Sequence, residues 1–233
     1  MVKKHLFSLN APLNWPIKRK EHKWVTRPNP GPHQLKKSLP LGLLITGLLK
    51  YATTSREVKK ILKDGVVIIN NRVIKDKRFP VGILDNIEIK NEYFRLIINP
   101  ENKYQLKKIN KEESKLKLCK IINKKILKKG IIQLNLYDGR NILVEKDQYK
   151  TGDTIIIDLE KNKIVSHLKL EKNSLVYLIG GKYAGTMGKV ESISERKGLQ
   201  LAKLILKLDK KNIETLKDYA FVIDENTFRM QNE

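Results

Sequence analysis

The chain has 233 residues, 40% of them apolar, enough to build real cores and to exclude wholesale disorder. Its formal net charge is +23, from 48 Lys and Arg against 25 Asp and Glu, and a compact chain so charged repels itself unless a polyanion lies nearby. No apolar run reaches the roughly 18–20 residues of a membrane span; the longest, LPLGLLITGLL at 39–49, is too short and holds two glycines, so nucleic acid is the expected partner and a membrane is not.

The single cysteine, Cys119, excludes an internal disulfide framework and a CxxC metal pair, and fits a reducing cytosol. None of His5, His22, His33 and His167 stands at helical spacing from another or beside Cys119, so no metal site is expected. The opening MVKKHLFSLNAPLNWPIKRK lacks a sustained apolar region and a small-residue cleavage site, so it reads as neither a secretory signal nor a transit peptide.

Residues 1–38 carry nine Lys or Arg against one acid, Glu21. Prolines 12, 16, 28, 30 and 32 forbid long helices and strands there. Phe7, Trp15, Trp24 and His33 are interleaved with the cations. This pattern predicts an extended basic arm that orders on RNA, with cations on phosphates and aromatics on bases or in clefts. Its candidate contacts are Lys3, Lys4, His5, Arg19, Lys20, Lys23, Trp24, Arg27, Lys36 and Lys37.

Residues 39–104 alternate helix and strand. A helix is expected over 41–50, then another in TTSREVKKILKDG, with Thr54 and Glu57 as a capping box and Gly65 as its stop. On that helix Val58, Ile61 and Leu62 share one face, while Arg56, Lys59, Lys60 and Lys63 fall opposite. The run VVII at 66–69 reads as a strand, and Asn70-Asn71 suit a two-residue hairpin turn into Arg72-Val73-Ile74. Lys75, Lys77 and Arg78 follow, then FPVGILDNIEI gives a Pro/Gly turn and a strand near 86–90. A basic helix followed at once by a basic hairpin suits a phosphate backbone, with affinity from charge and little base readout.

Residues 105–130 hold a short helix candidate, with Asn110 and Glu113 as a second capping box, and seven lysines crowd into 115–129. Cys119, among Leu116, Leu118, Ile121 and Ile122, reads as a buried apolar residue rather than a reactive thiol. IIQLNLYDGRNILV contains a hairpin at Asp138-Gly139. TGDTIIIDLEKNKIVSHLKL adds two strands around Lys161-Asn162, with His167 structural. From 171 onward the strands are LVYLI, MGKVESIS, LQLAKLILKL after a turn at 196–198, and YAFVIDE, a spacing that suggests a small barrel.

The loop GGKYAGTMGKV at 180–190 is glycine-rich and basic. A phosphate-cradling loop needs GxxxxGK, Ser or Thr, then a helix; here Thr186 stands in the lysine position and a strand follows. No cofactor is expected. The spacing GxxxGxxGxV, at Gly181, Gly185, Gly188 and Val190, resembles the KOW motif of small barrels in ribosomal proteins and transcription elongation factors. That resemblance implies positive-φ turns at the glycines, with Lys182, Tyr183 and Lys189 displayed at the rim to RNA or to a neighbouring protein.

KKHLFSLNAPLNWPI, RPNPGPHQLKKSLPL, LLKYATTSREVKKIL, VIKDKRFPVGILDNIEI, YQLKKINKEESKLKLCKI, GDTIIIDLEKNKI and YLIGGKYAGTMGKVESISER stand in this order along essentially the whole chain. Together they resemble the archaeal and eukaryotic e-type small-subunit ribosomal protein number four. The resemblance implies an α+β multidomain fold: a basic N-terminal arm at 1–38, an S-four-like RNA-binding module at 39–104, a central β domain at 105–170, and a KOW-type, SH3-like β-barrel at 171–233. It implies a structural protein of the small ribosomal subunit, in the cytoplasm, binding the 5′ region of small-subunit rRNA beside other ribosomal proteins, with no small-molecule substrate, no catalytic residue and no metal. The arm and the helix–hairpin surface, with Arg56, Lys59, Lys60, Lys63, Arg72, Lys75, Lys77 and Arg78, would lie against RNA. The chain ends soon after FVIDE, which suggests an archaeal or reduced eukaryotic source. Two other readings use the same motifs: an RNA-modifying enzyme carrying the module, which lacks a visible catalytic pair, and a KOW-type transcription factor, which lacks a visible polymerase-binding domain.

Overall fold

Short apolar alternations punctuated by Asn, Gly and Pro produce many strands and little helix. The computed structural model describes residues 4–195, 200–208 and 211–224, and the chain falls into two compact units, Met1–Lys117 and Leu118–Glu233. Among the described residues no helix is long and apolar enough to cross a membrane.

The first unit opens with strands β1 (His5–Phe7) and β2 (Trp24–Thr26), paired antiparallel with Phe7 opposite Trp24. Strand β3 (Ser38–Pro40) runs into one turn of helix α1 (Leu41–Leu43), which widens into a π turn over Leu44–Leu48. Helix α2 (Ser55–Lys63) follows, then β4 (Val67–Ile69), β5 (Arg72–Val73), β6 (Pro80–Gly82), β7 (Asn86–Ile89), β8 (Glu92–Ile98) and β9 (Tyr104–Lys108). A five-stranded sheet has the order β5-β4-β7-β8-β9, and β3 pairs with β6. Leu39, Leu41, Leu44, Ile45, Val67, Ile69, Ile87 and Leu96 are buried, and α2 adds Val58 and Leu62.

Three expectations for this unit are corrected. Residues 4–38 do not form a free arm: Trp15 is buried and its indole N–H donates to the Ser38 carbonyl at 2.8 Å, while His33 is buried too. Two aromatic anchors outweigh the proline-rich, charged composition that suggested an extended arm ordering only on RNA. FPVG is not a turn either. Pro80–Gly82 is β6, with Pro40 and Pro80 opposite each other at the end of a two-stranded ladder, where a missing N–H costs least; the turn comes later, with Leu84 at φ 65°. Helix α3 (Lys111–Ser114) is a single turn, and Asn110 at its N-cap makes no side-chain capping bond, so the second capping box does not form. Instead the helix is held at its far end, where Asn86 Nδ2 donates to the Ser114 and Leu116 carbonyls at 2.8 and 2.9 Å and Arg95 donates to the Glu113 carbonyl at 3.1 Å.

The second unit contains two five-stranded sheets. The boundary between the units falls within β10 (Leu116–Ile126), which is followed by β11 (Ile132–Leu136), β12 (Asn141–Val144), β13 (Thr154–Asp158) and β14 (Lys163–Leu168) in the order β12-β11-β10-β13-β14. The hairpins at Gly139 (φ 76°) and Asn162 (φ 52°) form as expected. Cys119, Ile121, Leu134, Leu136, Ile155 and Ile157 form one core, and Cys119 is buried, as read. His167 holds a structural contact, with Nε2 2.7 Å from Asp153 Oδ2.

Strands β15 (Leu175–Leu178), β16 (Met187–Ser194), β17 (Lys203–Leu208), β18 (Lys211–Leu216) and β19 (Ala220–Val222) complete an antiparallel sheet in the order β18-β17-β16-β15-β19. Its core is Val176, Leu178, Val190, Leu204, Leu206, Ala220 and Val222. Strand β18 escapes sequence reading because its KNIETL buries only Ile213 and it lies at the sheet edge. The turn expected at 196–198 lies outside the described residues. The helical share is smaller than an α+β reading implies: the described chain is mostly β, and its longest helix is α2 at 9 residues.

Candidate nucleic-acid interface

Helix α2 is defined at both ends by its own residues. Thr54 Oγ1 accepts from the Glu57 N–H at 3.3 Å, and the Glu57 carboxylate accepts from the Thr53 and Thr54 N–H groups at 2.8 and 3.3 Å. The Thr53 backbone bond, followed by those from Thr54, holds the Glu57 carboxyl below the usual carboxylate range. Gly65 closes the helix at φ 71°. With Val58 and Leu62 inside, Arg56, Lys59, Lys60 and Lys63 are all exposed.

The hairpin lies alongside this helix. Asn70 and Asn71 both take positive φ, 48° and 63°, and set Ile69 opposite Arg72. At the start of α2, Lys77 Nζ donates to Ser55 Oγ at 2.7 Å. At its end, a Cβ on Gly65 would lie 3.6 Å from Val73 Cγ1. Contacts at both ends therefore run the segment 72–78 beside the basic helix. Arg72 and Lys75 are exposed; Lys77 and Arg78 are half-buried.

The stretch around Arg27 and Asn29 joins the same surface. The Arg78 Nε donates to the Arg27 carbonyl at 3.0 Å, and the Asn29 N–H donates to the Arg78 carbonyl at 2.8 Å. Asp76 takes Asn29 Nδ2 and, at 2.9 Å, the Arg78 N–H. Lys36 and Lys37, both exposed, immediately precede β3, whose partner β6 follows Arg78. Lys4, His5, Lys20, Lys23 and Trp24 are exposed, whereas Arg19 is half-buried and donates to the Leu9 and Pro12 carbonyls at 3.3 and 2.7 Å. Lys3 lies outside the described residues.

Lys182, Tyr183 and Lys189 are exposed in the second unit. The loop that carries Lys182 and Tyr183, and the start of β16 that carries Lys189, use their glycines in two ways. Gly181 and Gly185 both have φ 82°, as the turn reading requires. Gly180 and Gly188 are needed for close approach: a Cβ would lie 2.8 Å from Tyr219 Cδ1 at the first and 3.2 Å from the Lys207 carbonyl oxygen at the second. Lys182 Nζ lies 5.6 Å from the Tyr183 ring centre, within cation–π range.

Sequence reasoning missed a set of buried cations. Lys117, 2% exposed, pairs with Asp85 at 2.6 Å. The same carboxylate accepts from Gly82 N–H at 2.8 Å and Asn70 Nδ2 at 2.9 Å, and His33 Nε2 lies 3.0 Å away. Burial opposes the charge of Asp85, but Lys117 and His33 overcome it and hold its carboxyl well below the usual range. Arg95, also buried, donates to Asn86 Oδ1 at 3.0 Å; burial lowers its pKa to about 10, against a raising effect of Glu113. Lys120 donates to the Lys217 and Asp218 carbonyls at 2.7 and 3.1 Å. Two members of the lysine-rich run at 115–129 are thus interior groups. Only strand alternation hints at this, and it names no partner. Among the described residues no group of three or more His, Cys, Asp or Glu could hold a metal ion.

The family model described as ribosomal family S4e matches residues 90–164, and that of the RS4NT domain matches residues 2–36. The small ribosomal subunit protein eS4 of Methanocaldococcus jannaschii is 41% identical over 96% of this chain and 95% of its own length. That of Methanothermobacter thermautotrophicus is 37% identical over 96% and 93%. The crystal structure of the 30S ribosomal protein S4e from Thermoplasma acidophilum, 28% identical, superposes with a TM-score of 0.72 over 84% of this chain and 99% of its own. On identity sustained across nearly its full length, the chain belongs to the S4e family of ribosomal proteins.

Proposed function

We propose that this chain is a structural constituent of the small ribosomal subunit and binds the 5′ region of small-subunit rRNA through the basic surface of its first unit. The carrying observation is the union of the exposed α2 cations with Arg72, Lys75 and the segment around Arg27 and Arg78, joined by the bonds Lys77 to Ser55 and Arg78 to Arg27. Lysines and arginines so placed neutralise phosphates and release their counterions, which supplies affinity with little sequence readout. Lys117, Lys120 and Arg95 belong to the scaffold instead, because their charges are buried. The role is structural, not enzymatic, and its place is the ribosome in the cytoplasm, beside neighbouring small-subunit proteins.

The finer layout is part of the proposal. Residues 1–38 are a basic N-terminal segment, 39–104 an S-four-like RNA-binding module, 105–170 a central β domain, and 171–233 a KOW-type small barrel. The α2–hairpin pairing supports the module. The GxxxGxxGxV loop between β15 and β16 supports the KOW reading and makes Lys182, Tyr183 and Lys189 a second contact surface.

Crosslinking in cells, with sites mapped on protein and RNA, tests this. Crosslinks from residues 19–37 and 56–78 to small-subunit rRNA are expected. Sedimentation apart from small subunits at low salt, with no rRNA crosslinks, would sink the proposal.

A further inference from the structure

Phe7 and Trp24 stand opposite each other across the β1–β2 ladder, with ring centres 5.7 Å apart and planes at 75°. The edge-to-face contact braces the indole, yet Trp24 remains 56% exposed, whereas Trp15, in the same unit, is 3% exposed. An indole held in place on a two-stranded ladder and open to water presents a flat face to a planar partner. Its neighbours define the chemistry of what it contacts. Lys23 Nζ lies 5.8 Å from the Trp24 ring centre, and Lys4, His5 and Lys20 are exposed. The Arg27 N–H donates to the Lys4 carbonyl at 3.2 Å, which carries the ladder on to Arg27.

We infer that Trp24 is a stacking platform for one unpaired RNA base, with Lys23 and its neighbours on the adjoining phosphates. This rests on the reading that the chain binds rRNA and adds the kind of RNA this face takes. An indole offers its π surface to any base that is free of its stack, and sequence-tolerant recognition of single strands and bulges works in this way. A continuous duplex keeps its bases stacked inside and offers the protein only phosphates and sugar edges. The α2–hairpin surface carries no such exposed tryptophan and remains a phosphate-tracking surface. The two surfaces of one unit thus take different RNA features.

The test uses the full chain and its own fluorescence. Trp15 is buried and supplies a constant background, so changes report Trp24. The probes are a short oligouridylate and a blunt RNA duplex with the same number of phosphates. The single strand should quench Trp24 emission, and the duplex should bind without doing so. Trp24→Leu should abolish the quenching and weaken single-strand binding about fivefold or more, leaving duplex binding within about twofold. Trp24→Phe keeps an aromatic face and should retain most of the single-strand affinity even where Trp24→Leu disturbs the ladder. Equal quenching by both RNAs, or unchanged single-strand affinity in Trp24→Leu, overturns the platform and leaves rRNA binding standing. Trp24 emission that responds to small-subunit proteins and to neither RNA overturns it in favour of a protein contact. Failure of the folded wild-type chain to bind either RNA overturns both readings.

Discussion

Lys117 Nζ sits 2.6 Å from Asp85 Oδ1, and both side chains are withdrawn from solvent. On the Asp85 carboxylate converge four separate parts of the first unit: His33 from the N-terminal segment, Asn70 from the hairpin turn, Gly82 at the end of β6, and Lys117 from β10. The cluster therefore ties the elements that form the basic surface to one another. Breaking a buried pair by removing one partner leaves an uncompensated charge. Lys117→Met should destabilise the first unit by about 3–5 kcal/mol. The double variant with Asp85→Asn should cost clearly less than the two single costs added. Denaturant unfolding followed by tryptophan fluorescence, to which both Trp15 and Trp24 of the first unit contribute, checks this, and strict additivity would contradict it.

Acid stability follows from the same carboxylate. Its folded-state pKa lies below the unfolded value of about 3.9. The stabilisation is then complete above that value and is lost as pH falls below it. The unfolding midpoint of the first unit should hold from neutral pH down to about 5 and drop below about 4. In Asp85→Asn that drop should flatten, because no proton then distinguishes the folded from the unfolded state at this position.

Gly82 is set by its neighbour. A Cβ there would lie 2.3 Å from His33 Cε1, in overlap with a buried imidazole that would have to shift. Gly82→Ala should cost about 1–3 kcal/mol through overpacking. A thermal melt with no shift in midpoint would show that His33 can leave its place.

Thr54→Ala removes one half of the capping box and should cost about 1 kcal/mol of stability. Because α2 carries four of the proposed contacts, RNA affinity should fall modestly alongside. Amide hydrogen exchange in the first turn of α2 should quicken, while exchange in β7 and β8 stays as it was.

The joint replacement of Arg56, Lys59 and Lys60 by Ala removes three exposed cations that face away from the α2 core. Far-ultraviolet circular dichroism and melting midpoint should stay near wild type. The slope of log affinity for small-subunit rRNA against log salt should become shallower, by about 0.7–0.9 for each phosphate that is no longer neutralised. An unchanged slope would remove this helix face from the RNA surface.

Much of this was legible in the chain itself, because the signals are local. The capping box, the stop at Gly65, the Asn70-Asn71 turn and the hairpins at Gly139 and Asn162 each depend on residues a few positions apart. Charge alone pointed to a polyanion. Glycine spacing with a following strand argued against a nucleotide cradle at 180–190. The tertiary structure decided what depends on distant partners. Whether a lysine faces solvent or interior was settled only when Asp85 met Lys117, 32 positions along the chain, and when the carbonyls of Lys217 and Asp218 met Lys120. The two tryptophans look alike in the sequence, each flanked by cations and prolines. One is buried, with its indole N–H satisfied by the distant Ser38 carbonyl, and the other lies exposed on a two-stranded ladder. Periodicity and capping are properties of neighbours along the chain, while burial and pairing are properties of neighbours in space, and that difference separated the readable half of this protein from the rest.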